Sequence, residues 1–413
     1  MKKKLIFIPI LVTIFLDMLG VGIIIPILAP LFVDPVHSIL NPSMSEATRN
    51  MLFGFLMASY PLAQWFGAPI LGALADRQGR KKWILGSLIG TMLGYLIFAF
   101  GVMQGTVLLL FVGRLLAGFM GGNISIMQSA IADISDEKNR SRNFGLIGMA
   151  FGLGFIFGPY IGGKLADPNL VSWFDFATPF WFAAILTFIN IILAIVFFQE
   201  TLKERTNRPF NLLTGPKNIV KAFSLPNFRV MFLVAFLFSF GFSFFTQFFQ
   251  VYLIDVFQFN QSQIGNVFAY VGLFIAFTQG VLNRKVSQWL KPHQILRLAP
   301  LGLALALLFI LVPGQSGGIF YVLPFVAIFN GLTYPNLTAQ VSILADEKSQ
   351  GEILGINQSL HSLGQALPPL LAGFLVTINS SLPIFLGACS VAISWFIFLF
   401  FFKPKAKQEF HEV

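Results

Sequence analysis

Two side chains stand out by type and position. Asp17 is the only one of 17 carboxylates set deep in an apolar run, and Arg114 is the only one of 27 cations so placed. A charge at the centre of a hydrocarbon layer costs on the order of 3 kcal/mol even on insertion scales, so each must pair, face water or do work. Asp17 lies about 20 Å from one end of its run and Arg114 about 12 Å from the opposite end of its own, depths that nearly coincide in a layer of roughly 30 Å. Burial favours a neutral carboxyl and a nearby guanidinium favours the ionised one. Moving Arg114 toward or away from Asp17 would therefore load and release a proton; the alternative is a structural ion pair tying two segments together. His361, with Asn357, Gln358 and Gln365 nearby, offers either a second protonatable group or a neutral hydrogen-bonded helix contact. Tyr60, Gln64, Asn123, Gln128, Gln247, Gln250, Asn330 and Asn336 are candidates for lining a cavity, or for tying helices to one another.

Other chemistries find no support. Cys389 is the single cysteine, so neither a disulfide framework nor a Cys/His metal cluster is expected. No phosphate-cradling glycine loop occurs, which leaves an ATP-driven pump unsupported and no cofactor expected, with a proton gradient as the energy source. The 413 residues are 56% hydrophobic and 11% charged, with 50 phenylalanines and a mean hydropathy of +0.78. A soluble enzyme, a nucleic-acid-binding domain and a disordered regulator are excluded despite a net charge of +10.

The elements that must hold these residues are membrane helices, since about 20 apolar residues cross the layer. Runs at 5–33, 50–75, 83–103, 106–131, 143–165, 178–198, 229–254, 262–283, 295–313, 318–344, 352–376 and 382–402 predict twelve spans. The first begins Met1-Lys2-Lys3-Lys4 and is too long for a cleaved signal. With that end inside, 24 of 27 cations fall on the same side; Arg49 and Lys164 lie outside, and Arg114 within a span. Both termini are expected to be cytoplasmic. An all-α membrane protein of two six-helix bundles follows, residues 1–198 and 229–402, joined by a cytoplasmic linker at 199–228 and ending in a tail at 403–413. Residues 217–225 could form a surface helix or a plain connector.

The halves repeat. At an offset of 210, Gly145, Gly154, Pro159 and Gly163 match Gly355, Gly364, Pro369 and Gly373, and Ala132-Asp133 recurs as Ala345-Asp346. Parallel repeats with a mid-membrane site between them are a transporter design.

Gly72-Ala-Leu-Ala-Asp76-Arg77-Gln-Gly79-Arg80-Lys81-Lys82, after the second span, resembles the GxxxDRxGRR signature of the major facilitator superfamily. Gly113-Arg114 through Ala132-Asp133 and on to Arg140, and Leu16-Asp17 through Pro26, resemble its drug:proton antiporter branch, the tetracycline-exporter type. Gly154-Phe-Ile-Phe-Gly158-Pro159-Tyr-Ile-Gly162-Gly163 is similar to that branch's GxxxGPxxGG exporter motif. The resemblance implies a conformational gate of Gly72, Asp76, Arg77, Gly79, Arg80 and Asp133, in which Asp133 partners Arg80 and Asp76 meets the start of the eleventh span. In the second half the loop has decayed to Gly280-Val-Leu-Asn283-Arg284-Lys285. The branch's further acidic residues in spans 3 and 9 have no counterpart in 83–103 or 295–313, so a neutral or cationic compound is expected rather than a metal chelate.

The expected function is proton-coupled export of a small amphipathic drug-like compound or metabolite by alternating access. The protein would be a monomer in the bacterial cytoplasmic membrane, with lipid, substrate and protons as partners and no nucleic acid. An importer or facilitator of a metabolite or siderophore is the alternative within transport; a receptor or a polytopic enzyme stands further off.

Overall fold

The computed structural model describes residues 2–33, 38–134, 150–202, 214–345 and 350–403, apart from 151, 155 and 227. Their regular structure is all helical, as a lipid-embedded chain requires, because a helix satisfies its backbone within the segment. The first half contains α1 (Lys2–Ile23), α2 (Ile25–Phe32), α3 (Glu46–Gln78), α4 (Arg80–Met103), α5 (Val107–Met120), α6 (Ile124–Ile134) and α7 (Thr178–Phe197), and residues 152–154 and 156–165 are also helical. After the linker helix α8 (Thr214–Ser224) come α9 (Arg229–Phe257), α10 (Gln261–Phe277), α11 (Asn283–Val286), α12 (Pro292–Ile295), α13 (Ala299–Phe309), α14 (Ser316–Leu344), α15 (Gln350–Ile378) and α16 (Leu382–Phe401). The helix considered over 217–225 thus forms as α8; linker residues 203–213 and 227 and tail residues 404–413 lie outside the described residues, as do Gly145, Asp346 and the loop carrying Lys138 and Arg140.

Among the described residues, ten helical stretches are long and apolar enough to cross a bilayer. Two expected spans are not among them. The 143–165 segment is described only in part. Helix α3 has 33 residues, about 50 Å at 1.5 Å per residue, and is less apolar because it turns Tyr60, Pro61 and Arg49 into the protein. The outward faces are apolar: Leu108, Val196, Val312 and Phe400 are all more than half exposed. Such a continuous apolar exterior needs lipid around it.

The two halves share a core at one end and not at the other. Leu19, Ile23, Phe32, Phe53 and Phe180 pack with Phe244, Phe248, Val251, Ala372 and Val376 of the second half. At the end carrying the Gly72–Lys82 loop, Ile10, Ile14, Leu71, Ile84, Met127 and Phe198 form a core from the first half alone. There the linker helix α8 meets the second half, where Asn218 Nδ2 donates to Ser359 Oγ at 3.1 Å.

Candidate functional site

Asp17 sits where α1, α3, α4 and the α5–α6 junction converge. The junction is a 3₁₀ turn, Gly121–Asn123, and its glycines are required: a Cβ at Gly122 would overlap the Ala68 backbone, and one at Gly121 the Tyr60 hydroxyl. This close pass of α3 delivers Asn123 to α1, where its Nδ2 donates to Asp17 Oδ2 at 2.9 Å. Arg114 forms no ion pair with Asp17. Its guanidinium carbon lies 5.1 Å from the centre of the Tyr60 ring, within cation–π range, and its buried Nε has no hydrogen-bond partner. Tyr95, from α4, brings its hydroxyl against α1 at Gly20, where any Cβ would overlap it. The arrangement is a carboxyl held by a neutral amide, with a guanidinium parked on a neighbouring ring.

At the loop end a second polar centre is built around Arg80. Its Nε donates to Asp133 Oδ2 at 2.6 Å and its Nη1 to Asp76 Oδ1 at 2.8 Å, and Thr201 Oγ1 donates to the same Asp133 oxygen at 3.1 Å. Arg80 is buried, so two carboxylates on one guanidinium compensate its desolvation. Arg77 is exposed beside them. Gly72 leaves room for Ser125, and Gly79 adopts φ +109° with Glu200 Oε2 2.6 Å from where a Cβ would be. Sequence reading passed over Glu200. It caps α4 from the end of α7, accepting from Arg80 N at 2.9 Å and Lys81 N at 3.1 Å, besides Thr201 N and Leu202 N. Partial burial pushes its carboxyl upward, but these four N–H donors outweigh that and hold it below the usual carboxylate range. A detectable signal was present: one acid directly after an apolar run, in a strongly basic segment.

The Gly154–Gly163 residues serve close packing. Gly154, Gly158 and Gly162 lie against the backbone of α1 at Phe15–Leu19, Leu19–Gly22 and Ile23. Gly163 faces Gln261 O at 2.5 Å and Gly265 Cα at 3.2 Å, and Gly265 faces Pro159 O at 2.6 Å, measured from ideal Cβ positions. The repeat does the same on the other side. Gly373 faces Asn50 O at 2.7 Å, and a Cβ at Gly54 would overlap Pro369 O and lie 3.2 Å from Gly373 Cα. Lys164 Nζ donates to Ser262 Oγ at 2.8 Å next to the first of these contacts.

The remaining candidates divide. Gln64 Nε2 donates to Gly121 O at 3.0 Å, and Asn336 Nδ2 to Asn283 Oδ1 at 2.8 Å, so both tie neighbouring segments. Gln250 is fully buried and accepts from Ala29 N across the halves at 3.4 Å. Gln247 Nε2 donates to Gln365 O at 2.9 Å. His361 Nδ1 is 2.6 Å from Ser239 Oγ and its Nε2 is 2.8 Å from Gln365 Nε2. With the amide donating to Nε2, the ring hydrogen sits on Nδ1 and goes to Ser239. Asn330 is buried, and Gln128 is half-buried. Asp17, Tyr60, Asn123 and Arg114 are brought together; His361, Gln365 and Gln247 form a separate group in the second half.

The sequence and the fold have counterparts among known proteins. Residues 10–367 match the family model of the Major Facilitator Superfamily. The chain is 32% identical to the class H tetracycline resistance protein of Pasteurella multocida over 91% of its length and 89% of that protein's. It is 30% identical to multidrug resistance protein 1 of Bacillus subtilis (strain 168), over 95% of each. Among solved structures, the human organic anion transporter MFSD10 superposes with a TM-score of 0.74 at 23% identity, covering 96% of this chain and 99% of that one. The D-xylose-proton symporter gives 0.75 at 16%, over 98% of both. With its fold, its apolar exterior and its repeated halves, the chain belongs to the Major Facilitator Superfamily and is a multi-pass membrane transporter, not an enzyme.

Proposed function

We propose that this protein exports a small amphipathic compound, neutral or cationic, in exchange for protons across the bacterial cytoplasmic membrane. It would act as a monomer of twelve spans with both termini cytoplasmic and with half-boundaries at 1–198 and 229–402. The observation that carries the reading is Asp17, an acidic group deep in the first bundle that accepts from the neutral amide of Asn123, with Arg114 held nearby on Tyr60. A permanent structural ion pair would engage the guanidinium directly. Here the carboxyl is held by an amide, and Arg114, in the same bundle, reaches it by a rearrangement within that bundle. The one-sided cation distribution puts the Gly72–Lys82 loop in the cytoplasm. On that orientation the shared core would lie at the outer end, and Asp76, Arg80 and Asp133 would form the cytoplasmic gate. The drug resistance names of the relatives support export of drug-like compounds.

Everted membrane vesicles test this with ethidium and, separately, tetracycline as probes. Vesicles carrying the protein are expected to accumulate ethidium when acidified inside by respiration and to stop when the gradient is collapsed. Asp17→Asn should insert normally yet lose gradient-driven accumulation. An Asp17→Asn protein with unchanged transport and unchanged pH dependence sinks the proton-carrier role, and net loss of probe from energised vesicles would make the chain an importer.

A further inference from the structure

The two copies of the repeated loop differ in how their cations are compensated. In the first, Arg80 holds Asp76 and Asp133, Lys81 Nζ donates to Ile195 O at 2.8 Å, and Lys82 Nζ donates to Gln78 Oε1 at 2.8 Å. In the second, between α10 and α13, the protein supplies no such partners. The chain has no Asp or Glu from residue 256 to residue 345. Arg284, Lys285, Lys291 and Arg297 are exposed there, and among the described residues none of the four forms an ion pair. Lys291 and Arg297 lie close enough together for both charges to act on His293. Large apolar side chains project from the same corner, with Trp289 84% and Leu298 70% exposed. Along α13 the exposed face continues through Leu305 and Phe309, so the corner is one end of the apolar exterior that needs lipid around it. Trp395 Nε1, on α16, donates to Arg297 O at 2.7 Å and fixes the corner to the last helix. A general excess of cations on cytoplasmic loops accounts for the charges. It accounts neither for the exposed Trp289 and Leu298 beside them nor for the missing acids.

We propose that the loop at 284–298 is a docking surface for anionic phospholipid of the cytoplasmic leaflet. Phosphate headgroups sit on Arg284, Lys285, Lys291 and Arg297, and Trp289 and Leu298 enter the headgroup boundary beside them. The proposal rests on the orientation in the reading above and adds to it a lipid class and a place. Charge selects the lipid, and the apolar side chains keep the cations at the depth of its phosphates. The second half is thereby tied to the leaflet, whereas the first-half loop is tied to its own helices.

The test uses the full-length protein with Ser287→Cys in a Cys389→Ser background, labelled with a bimane dye, in nanodiscs of equal parts phosphatidylcholine and phosphatidylglycerol. A trace of either lipid carrying a doxyl quencher reports which one lies at the loop. Phosphatidylglycerol is expected to quench at least about fivefold more strongly per molecule, the equivalent of the ~1 kcal/mol that a single cation near an anionic leaflet supplies. Arg284→Gln, Lys285→Gln, Lys291→Gln and Arg297→Gln together should make the two lipids equivalent. Quenching by phosphatidylcholine should persist in that neutralised protein, which reports that the loop still reaches lipid. Lys291→Arg with Arg297→Lys should keep the preference, and high salt should remove it reversibly. The same dye at Gln104→Cys, exposed in another loop, should show none. A loop that does not distinguish the lipids, a preference that survives neutralisation, or an equal preference at Gln104 overturns the proposal. Displacement of the lipid by soluble glycerol phosphate also overturns it, because the site would then be one for free phosphate. Labelling of Ser287→Cys by an impermeant maleimide from outside intact cells overturns both the leaflet assignment and the proposed topology. Loss of gradient-driven ethidium accumulation with the lipid preference intact overturns the exporter reading and leaves the lipid contact standing.

Discussion

Asp17 and Arg114 occupy the same region without touching, and the side chains between them explain how. The carboxyl accepts from Asn123, while the guanidinium rests on the Tyr60 ring, a contact worth about 0.5–2 kcal/mol depending on desolvation. Two stations for one cation separated by such an amount can be exchanged by a modest change in geometry. Helix α1 must meanwhile stay in contact with α4, and Gly20 allows this by admitting the Tyr95 hydroxyl. Gly20→Ala is expected to destabilise the protein by about 1–3 kcal/mol, the usual cost of overpacking, and Tyr95→Phe in the Gly20→Ala background should recover part of it. Thermal unfolding of the single and double variants checks this as a double-mutant cycle; strictly additive losses would mean that the two groups do not meet. Asp17 and Arg114 were legible in the sequence because a charge in an apolar run has no bland explanation. Tyr95 was not, since its role depends on a glycine 75 positions earlier that only the fold brings alongside. For Asn123 cavity lining and a tie between helices stay equally open in the sequence, because nothing there distinguishes an amide that faces ligand from one that faces a carboxyl.

At the scale of elements, α4 begins abruptly after Gly79 without a cap from its own N-terminal residue. Its first amides are satisfied from α7 by Glu200, and the negative charge also suits the positive end of the helix. The cap ties the end of the last first-half span to the Arg80–Asp76–Asp133 cluster, so the loop motif and its flanking helices form one rigid unit. Because folding holds the Glu200 carboxyl below its ordinary value of 4.5, the charged form contributes stability that is fully present above that value and is lost as pH falls further. Glu200→Gln should therefore lower Tm at pH 7, with a cap's ordinary worth near 1 kcal/mol reduced by solvent screening at this exposed position. The gap between wild type and variant should narrow below about pH 4.5. A gap that is constant from pH 7 to pH 3.5 would show that the carboxylate charge has no part in the cap. The long apolar helices were legible from hydropathy, since lipid imposes it on any helix that faces outward. Helix α3 was found at 50–75 but is longer and less apolar than a lipid-facing span, because it serves two clients inside the protein: α5 and its junction with α6, at Gly118 and Gly122, and α15 at Gly54.

Among the junctions between the two halves are two equivalent close contacts, which the repeat in the sequence identifies as equivalents. Gly163 and Pro159 close on Gly265, and Gly373 and Pro369 close on Gly54; the paired residues differ in number by 210 or 211. Sequence reading recognised one glycine set as an exporter motif and its repeat as ancestry, but the partners Gly54 and Gly265 carried no signal, since single glycines are common in membrane helices. Both contacts lie at the end where the halves share a core, and both bring backbone close to backbone, which leaves no room for even a methyl group. If the halves move as rigid bodies, blocking either contact must open both. Gly54→Val and Gly265→Val are each expected to keep the amount of folded protein near normal while holding this end apart. The readout is cross-linking of Lys164→Cys to Ser262→Cys by a short bis-maleimide in a Cys389→Ser background, since the native side chains there meet at 2.8 Å. Either valine should slow cross-linking by about tenfold or more, the rate equivalent of the 1–3 kcal/mol that overpacking costs. Gly265→Val acts beside the probe pair and would slow it on any mechanism. Gly54→Val acts at the other contact, so a normal cross-linking rate in that variant would mean that the two sides close independently and that the halves do not rock as units.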